Sequence, residues 1–70
     1  MLEEHLEKLK TFYVAANEKS FLKAAEARGL TQPAVTKSIG LLEEQLGVTL
    51  FLRHRRGVDL TKAGGLLYQF

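Results

Sequence analysis

The first quarter of the chain interleaves apolar and charged residues with a helical spacing. Apolar side chains recur every three or four positions, and charged residues occupy most positions between them. This period is typical of an amphipathic helix with one face on a core, and it predicts a helix over about residues 3–17. The apolar positions of this segment are Leu2, Leu6, Leu9, Phe12, Tyr13 and Ala16.

Two further helices are indicated by their capping residues. Ser20 is suited to cap a short helix from Phe21 to Arg28, which Gly29 would end. Thr31 would cap a third helix that ends at Gly47 and carries a proline in its first turn, where a missing N–H is tolerated. A tight glycine-containing turn between two such helices is the helix-turn-helix pattern. The predicted core residues are Phe21, Ala24 and Ala25 in the second helix, and Val35, Ile39, Leu42 and Leu46 in the third.

After Gly47 the periodicity changes from helical to extended. Residues 48–53 and 58–60 are predicted to form two short strands around a loop at residues 54–57. Thr61 would cap a last helix from Lys62 onward, in which the Gly64–Gly65 pair weakens the first turn by up to about 1 kcal/mol per glycine. The predicted fold class is therefore mainly α: a winged helix-turn-helix of three helices, a two-stranded wing and the start of a fourth helix.

The charge distribution indicates what kind of partner this fold would bind. The net charge of the 70 residues is only +2, yet Arg53, Arg55, Arg56 and Lys62 cluster near the predicted hairpin with Asp59 as the one acidic residue. Clustered cations matter more for polyanion binding than the total charge, and a wing tip of this kind can reach the DNA backbone or minor groove. The alternative is a solvated hairpin whose edges are protected by cations.

Residues at the start of the third helix are candidates for base reading. Gln32 can pair bidentately with adenine and Lys37 can donate to guanine, whereas Thr31 and Thr36 can contact phosphate or a thymine methyl. Pro33 lies on the same exposed side of the helix as Thr36 and Lys37. The alternative is that these are ordinary solvated positions and that Thr31 is only a cap.

Other chemistries find little support in the residues. There is no cysteine, and His5 and His54 lie far apart in the sequence, so we expect no metal and no cofactor. Glu43 and Glu44 diverge on a helix, have no nucleophile beside them and are expected to serve solubility, so we expect no enzyme activity. Without an apolar run of roughly 20 residues or a signal-peptide pattern, a cytoplasmic location without membrane contact is expected.

Taken in order, these pieces resemble the LysR-type transcriptional regulator family of bacteria over nearly the whole chain. The resemblance implies a winged helix-turn-helix DNA-binding domain at residues 1–61 and the start of a linker helix at residues 62–70. It also implies a separate effector domain, beyond this sequence, for a small-molecule inducer. The matching residues are Phe12, Ser20–Phe21, Ala24–Ala25, residues 31–37 with Ile39, Leu42–Glu43, Leu46–Gly47, Leu50–Phe51 with Arg53, Leu60–Thr61 and Ala63–Gly64.

The family resemblance also implies roles for individual residues. A recognition helix at about residues 32–46 would enter the major groove of double-stranded promoter DNA, with the wing at residues 53–57 on backbone or minor groove. Thr31 would be a phosphate-contacting cap. A homodimer paired through linker helices would read an interrupted dyad. The implied DNA contacts are Thr31, Gln32, Pro33, Thr36, Lys37, Arg53, Arg55 and Arg56, and the predicted dimerisation residues are Leu66, Leu67 and Phe70.

Three positions depart from the family pattern: Arg28 replaces a leucine, and Gly40 and Leu41 replace polar or basic residues.

The alternative function is a winged helix that serves as a protein–protein interaction module. The basic hairpin and the polar start of the third helix argue against that alternative. The expected function is sequence-specific binding of DNA.

Overall fold

The computed structural model describes residues 2–70, apart from the side chains of Leu2 and Glu4. Met1, the first residue of the predicted domain 1–61, and the predicted apolar side chain of Leu2 thus lie outside the described residues. The elements along the chain are α1 (Leu2–Glu18), α2 (Phe21–Arg28), α3 (Gln32–Leu46), β1 (Phe51–His54), β2 (Gly57–Leu60) and α4 (Lys62–Tyr68). The predicted class, a mainly helical winged helix-turn-helix, is confirmed.

Local hydrogen bonds set the boundaries of the helices as the capping residues indicated. The hydroxyls of Ser20, Thr31 and Thr61 each accept a hydrogen bond from the amide three residues later, at 3.1, 3.2 and 3.0 Å. Such a bond satisfies one of the free amides in the first turn of a helix. Gly29 and Gly47 end α2 and α3 in the left-handed conformation, with φ of 67° and 70°.

The core lies where α1, α2 and α3 meet the inner face of the wing. The ring of Phe51 in β1 lies 5.4 Å from that of Phe12 and 5.3 Å from that of Phe21, so an aromatic cluster joins the wing to two helices. The predicted core residues of α2 are confirmed as buried, and so are three of the four predicted for α3. The buried apolar residues are Phe12, Ala15, Phe21, Ala24, Ala25, Val35, Ile39, Leu42, Leu50, Phe51 and Val58.

One predicted core position, Leu46, is wrong: it is 49% exposed, although the helical period places it on the core side of α3. Leu6, one of the apolar positions of α1, is 48% exposed as well. The period of a helix determines the direction in which a side chain points, but burial also requires a neighbour at the same height along the axis. Leu46 occupies the last turn of α3 and Leu6 lies toward the start of α1, and neither position is covered.

The wing is a two-stranded antiparallel hairpin in which Leu52 pairs with Asp59 and His54 pairs with Gly57. The first strand begins three residues later than predicted, and the connecting loop shrinks to Arg55 and Arg56. Just before and at the start of this strand, the Leu50 and Phe51 amides donate to the Glu43 carboxylate at 2.7 and 3.3 Å. Glu43 therefore has a structural role besides the predicted one in solubility.

Two glycines allow the wing and α4 to pack closely on the rest of the fold. Gly57 has a φ of 144°, and a Cβ there would lie 2.1 Å from the Lys19 carbonyl oxygen. The neighbouring Val58 amide donates to that same carbonyl at 3.1 Å. At Gly64 a Cβ would lie 2.2 Å from the Leu50 carbonyl oxygen. Only glycine fits such approaches without a shift of the backbone, so these contacts set the position of the wing and of α4.

Candidate nucleic-acid interface

The first two turns of α3 present the residues predicted to read DNA. Thr31, Gln32, Pro33 and Lys37 are exposed and Thr36 is half-buried, because the buried stripe of α3 turns the opposite side of the helix outward. Thr31 caps the helix through the Ala34 amide at 3.2 Å. The helix therefore begins with a defined orientation and an accessible polar surface, which is what base reading in a major groove requires.

The pleat of the wing places its three arginines in two different settings. Arg53 lies on the same face as the buried Val58, its pairing partner, and its guanidinium carbon lies 5.0 Å from the centre of the Phe21 ring. This cation–π contact holds the guanidinium beside α2. Arg55 and Arg56 form the exposed tip, where their charged groups remain accessible to a polyanion.

The start of α3 and the wing share one open groove of about 310 Å³. Four of the eight residues predicted to contact DNA line it: Gln32, Arg53, Arg55 and Arg56. The other four (Thr31, Pro33, Thr36 and Lys37) do not line the groove and lie along the first turns of α3. Among residues 2–70, no acidic residue lines this groove. Asp59 lies beside His54 but does not line the groove, so the three guanidinium groups of the lining suit a phosphate backbone.

Six residues that line the groove were not among the contacts predicted from the sequence: Ser20, Phe21, Leu22, His54, Gly57 and Val58. Ser20 and Leu22, at the start of α2, line the groove, and the helix-turn-helix pattern offers a signal for them because its first helix crosses the DNA backbone. His54 lines the groove as well, and its Nδ1 accepts a hydrogen bond from the Arg56 amide at 3.2 Å. No sequence signal pointed to that contact, since it depends on the conformation of the turn.

The predicted dimerisation residues lie in different surroundings on α4. Leu66 is 54% exposed and Phe70 is 97% exposed. Leu67 is instead partly buried against the core, and its carbonyl accepts a hydrogen bond from the Tyr13 hydroxyl at 3.4 Å. Leu66 and Phe70 are thus accessible to a partner, whereas Leu67 also anchors α4 to its own domain.

Arg28, one of the departures from the family pattern, joins α2 to α1. Its guanidinium donates to the Glu7 carboxylate. This hydrogen bond is the main reason why the pKa of the Glu7 carboxyl lies below its usual value. Desolvation opposes it, and the positive charges of Arg28 and Lys10 lower the pKa further. The pair connects α2 to α1 through charged side chains.

Within residues 2–70, no three His, Cys, Asp or Glu side chains gather in a group that could hold a metal ion. No helix in this part of the chain is both long and apolar enough to cross a membrane.

The three capped helices, the helix-turn-helix of α2 and α3 and the basic hairpin define a winged helix-turn-helix domain. Residues 6–65 match the family of bacterial regulatory helix-turn-helix proteins of the lysR type. The chain belongs to this family, and it comprises the family's winged helix-turn-helix DNA-binding domain.

Individual relatives agree with this assignment. The chain is 44% identical over 61 residues to the HTH-type transcriptional regulator BudR of Klebsiella aerogenes, covering 87% of this chain and 43% of BudR. It is 50% identical over 64 residues to the HTH-type transcriptional regulator HdfR of Salmonella newport, covering 91% of this chain and 23% of HdfR. The chain thus spans less than half the length of these relatives.

A solved structure shows the same fold in a complex. The crystal structure of the CbnR DBD–DNA complex superposes with a TM-score of 0.88 at 35% identity, covering 90% of this chain and 72% of that one.

Proposed function

We propose that this chain binds double-stranded DNA sequence-specifically, with α3 in the major groove and the wing on the backbone or in the minor groove. The observation that carries the proposal is the groove shared by Gln32 and the three wing arginines, in which none of the described lining residues is acidic. The likeness to the CbnR DBD, solved with DNA, supports it. The three arginines in the lining of this groove argue against the alternative, a protein–protein interaction module.

The residues at the start of α3 would divide into readers and positioners. Gln32 and Lys37 would contact base edges, since amide and ammonium groups match adenine and guanine in the major groove. Thr31 and Thr36 would contact phosphate, and Pro33 would pack beside the backbone at the first turn. Arg53, Arg55 and Arg56 would supply affinity that does not depend on sequence, because guanidinium groups bind phosphates wherever these lie.

The proposal also covers the whole protein, of which this chain would be the DNA-binding part. Residues 1–61 would be that domain, and residues 62–70 would begin a linker helix that pairs two subunits on promoter DNA through Leu66, Leu67 and Phe70. Twofold pairing would place two recognition helices on one side of the DNA. The function is binding without catalysis, in the cytoplasm at the nucleoid, with an inducer acting only through a separate effector domain.

The decisive experiment selects bound sequences from a random duplex pool and then measures affinity for the selected site as a function of salt. Arg55→Ala combined with Arg56→Ala should lower the slope of log K against log salt by about 0.9 for each lost phosphate contact. It should weaken binding to selected and random duplexes alike. The charge-matched control is Lys8→Ala with Lys10→Ala on α1, which should leave the slope unchanged. A pool that yields no preferred sequence would refute specific binding.

Dimerisation is tested by sedimentation equilibrium of the 70-residue chain. We expect an association that depends on concentration and that Leu66→Asp shifts to monomer, because a buried carboxylate at an apolar interface is costly. A chain that stays monomeric at high concentration, with affinity for the selected DNA indifferent to Leu66→Asp, would rule out this interface.

A further inference from the structure

We propose that His54 is a positioning residue for the wing: its unprotonated Nδ1 holds the Arg56 amide and so fixes the tip that presents Arg55 and Arg56 to DNA. This inference rests on the proposed DNA binding, but its structural half can be tested without DNA. It assigns no DNA contact to His54 itself.

The imidazole of His54 is held at both nitrogens. Nδ1 accepts a hydrogen bond from the Arg56 amide at 3.2 Å, and Nε2 lies 2.9 Å from the Asp59 carboxylate. His54 and Asp59 share the outer face of the hairpin, because their pairing partners are Gly57 and Leu52 and opposite residues point to the same side. A carboxylate beside Nε2 favours a hydrogen on that nitrogen, which leaves Nδ1 of the neutral ring as an acceptor.

The tip needs this support because its two central residues do not have the backbone conformation that favours a two-residue hairpin turn. Favoured two-residue turns have a positive φ at one or both central residues, which matches the twist of the strands. Neither Arg55 nor Arg56 has a positive φ, and the positive value falls on Gly57, at 144°. A side-chain acceptor that binds the amide two residues on is how Asn and Asp stabilise such turns, and His54 supplies one here.

The first measurement is amide hydrogen exchange of Arg56 by NMR in the DNA-free 70-residue chain. His54→Leu should speed this exchange at least about threefold, whereas His54→Asn should restore protection, because the Asn oxygen occupies the position of Nδ1. If Arg56 exchanges equally fast in all three proteins, His54 does not hold the tip and the proposal is overturned, whatever the DNA result.

The second measurement is affinity for a selected duplex at one fixed pH. His54→Leu should bind about three- to tenfold more weakly than wild type, and His54→Asn should recover most of that loss. His5→Asn, on α1, is the control and should bind like wild type.

The outcomes separate this proposal from the proposed function. If His54→Asn protects the Arg56 amide but binds DNA as weakly as His54→Leu, His54 contacts DNA directly and the positioning role is overturned. Equal affinities of wild type and His54→Leu would overturn it as well. If no duplex binds even the wild type, DNA binding fails, while the exchange measurement still decides whether His54 orders the tip.

Discussion

Alanine substitution at the two adjacent glycines of α4, Gly64 and Gly65, should change the stability of the fold in opposite directions. In the part of the chain that the structure describes, a Cβ added at Gly65 would meet no atom within 4 Å. At Gly64 it would lie 2.2 Å from the Leu50 carbonyl oxygen and 2.9 Å from Cδ2 of Leu60. Since both residues share one short helix, the comparison separates helix propensity from packing.

The expected magnitudes follow from these distances. Gly65→Ala should raise the free energy of unfolding by about 0.5–1 kcal/mol, since alanine loses less backbone entropy than glycine in a helix. Gly64→Ala receives the same gain, but ordinary contact begins near 3.4 Å, more than 1 Å beyond the distance to the carbonyl. The backbone of Leu50 has little freedom, because its oxygen accepts the Thr61 amide at 2.9 Å. We expect a net loss of about 1–3 kcal/mol.

Thermal and urea unfolding, followed by circular dichroism, measure both changes. For a domain of this size about 1 kcal/mol moves the midpoint by about 4–8 °C, so Gly65→Ala should raise it by about 2–8 °C and Gly64→Ala should lower it. A Gly64→Ala protein as stable as Gly65→Ala would show that α4 does not pack on Leu50 as described. The double variant should be close to the sum of the two, unless α4 detaches.

Three shorter predictions concern polar side chains. Gln32→Ala should cost about 1–3 kcal/mol on a selected duplex and little on random DNA; competition binding measures both, and equal losses would make Gln32 a positioning contact. Glu43→Gln should destabilise the fold by about 1–2 kcal/mol, because a charged acceptor of two backbone amides is lost, whereas the exposed Glu44→Gln should change the denaturant midpoint little. Glu7→Gln should lower the denaturant midpoint near neutral pH. Because the pKa of Glu7 is lowered in the folded state, its contribution to stability is fully present above the usual glutamate pKa of about 4.3. That contribution is lost as the pH falls through the folded-state pKa. Wild type and variant should therefore converge in acid, and a pH-independent difference would contradict the Arg28 pair as its cause.

The DNA-facing residues show how far a pattern of residues can locate a site. Gln32 could be assigned because a helix with a buried stripe exposes its other side, and Arg55 and Arg56 because a basic turn between strands is solvated. That Arg53 lies over Phe21 could not be assigned, since a shift of one residue in strand pairing would move its side chain to the outer face. The groove between α3 and the wing can be recognised only when the positions of these two elements relative to each other are known.

The residues at which the helices begin and end can be predicted from the local sequence. Ser20, Thr31 and Thr61 cap amides three residues away, and Gly29 and Gly47 end helices in a conformation that needs no distant partner. Each choice is made within one helical turn, so composition and spacing are sufficient to predict it. The order of elements, and with it the winged helix-turn-helix class, follows from these signals.

Contacts between elements were decided by the tertiary structure. Glu43 binds amides seven and eight residues away, and Gly64 is required by a carbonyl fourteen positions earlier in the chain. Leu46 has the correct helical phase but no neighbour to cover it. In each case the side chain's role depends on what lies opposite it in space, and a one-dimensional pattern carries the direction of a side chain but not the position of its partner.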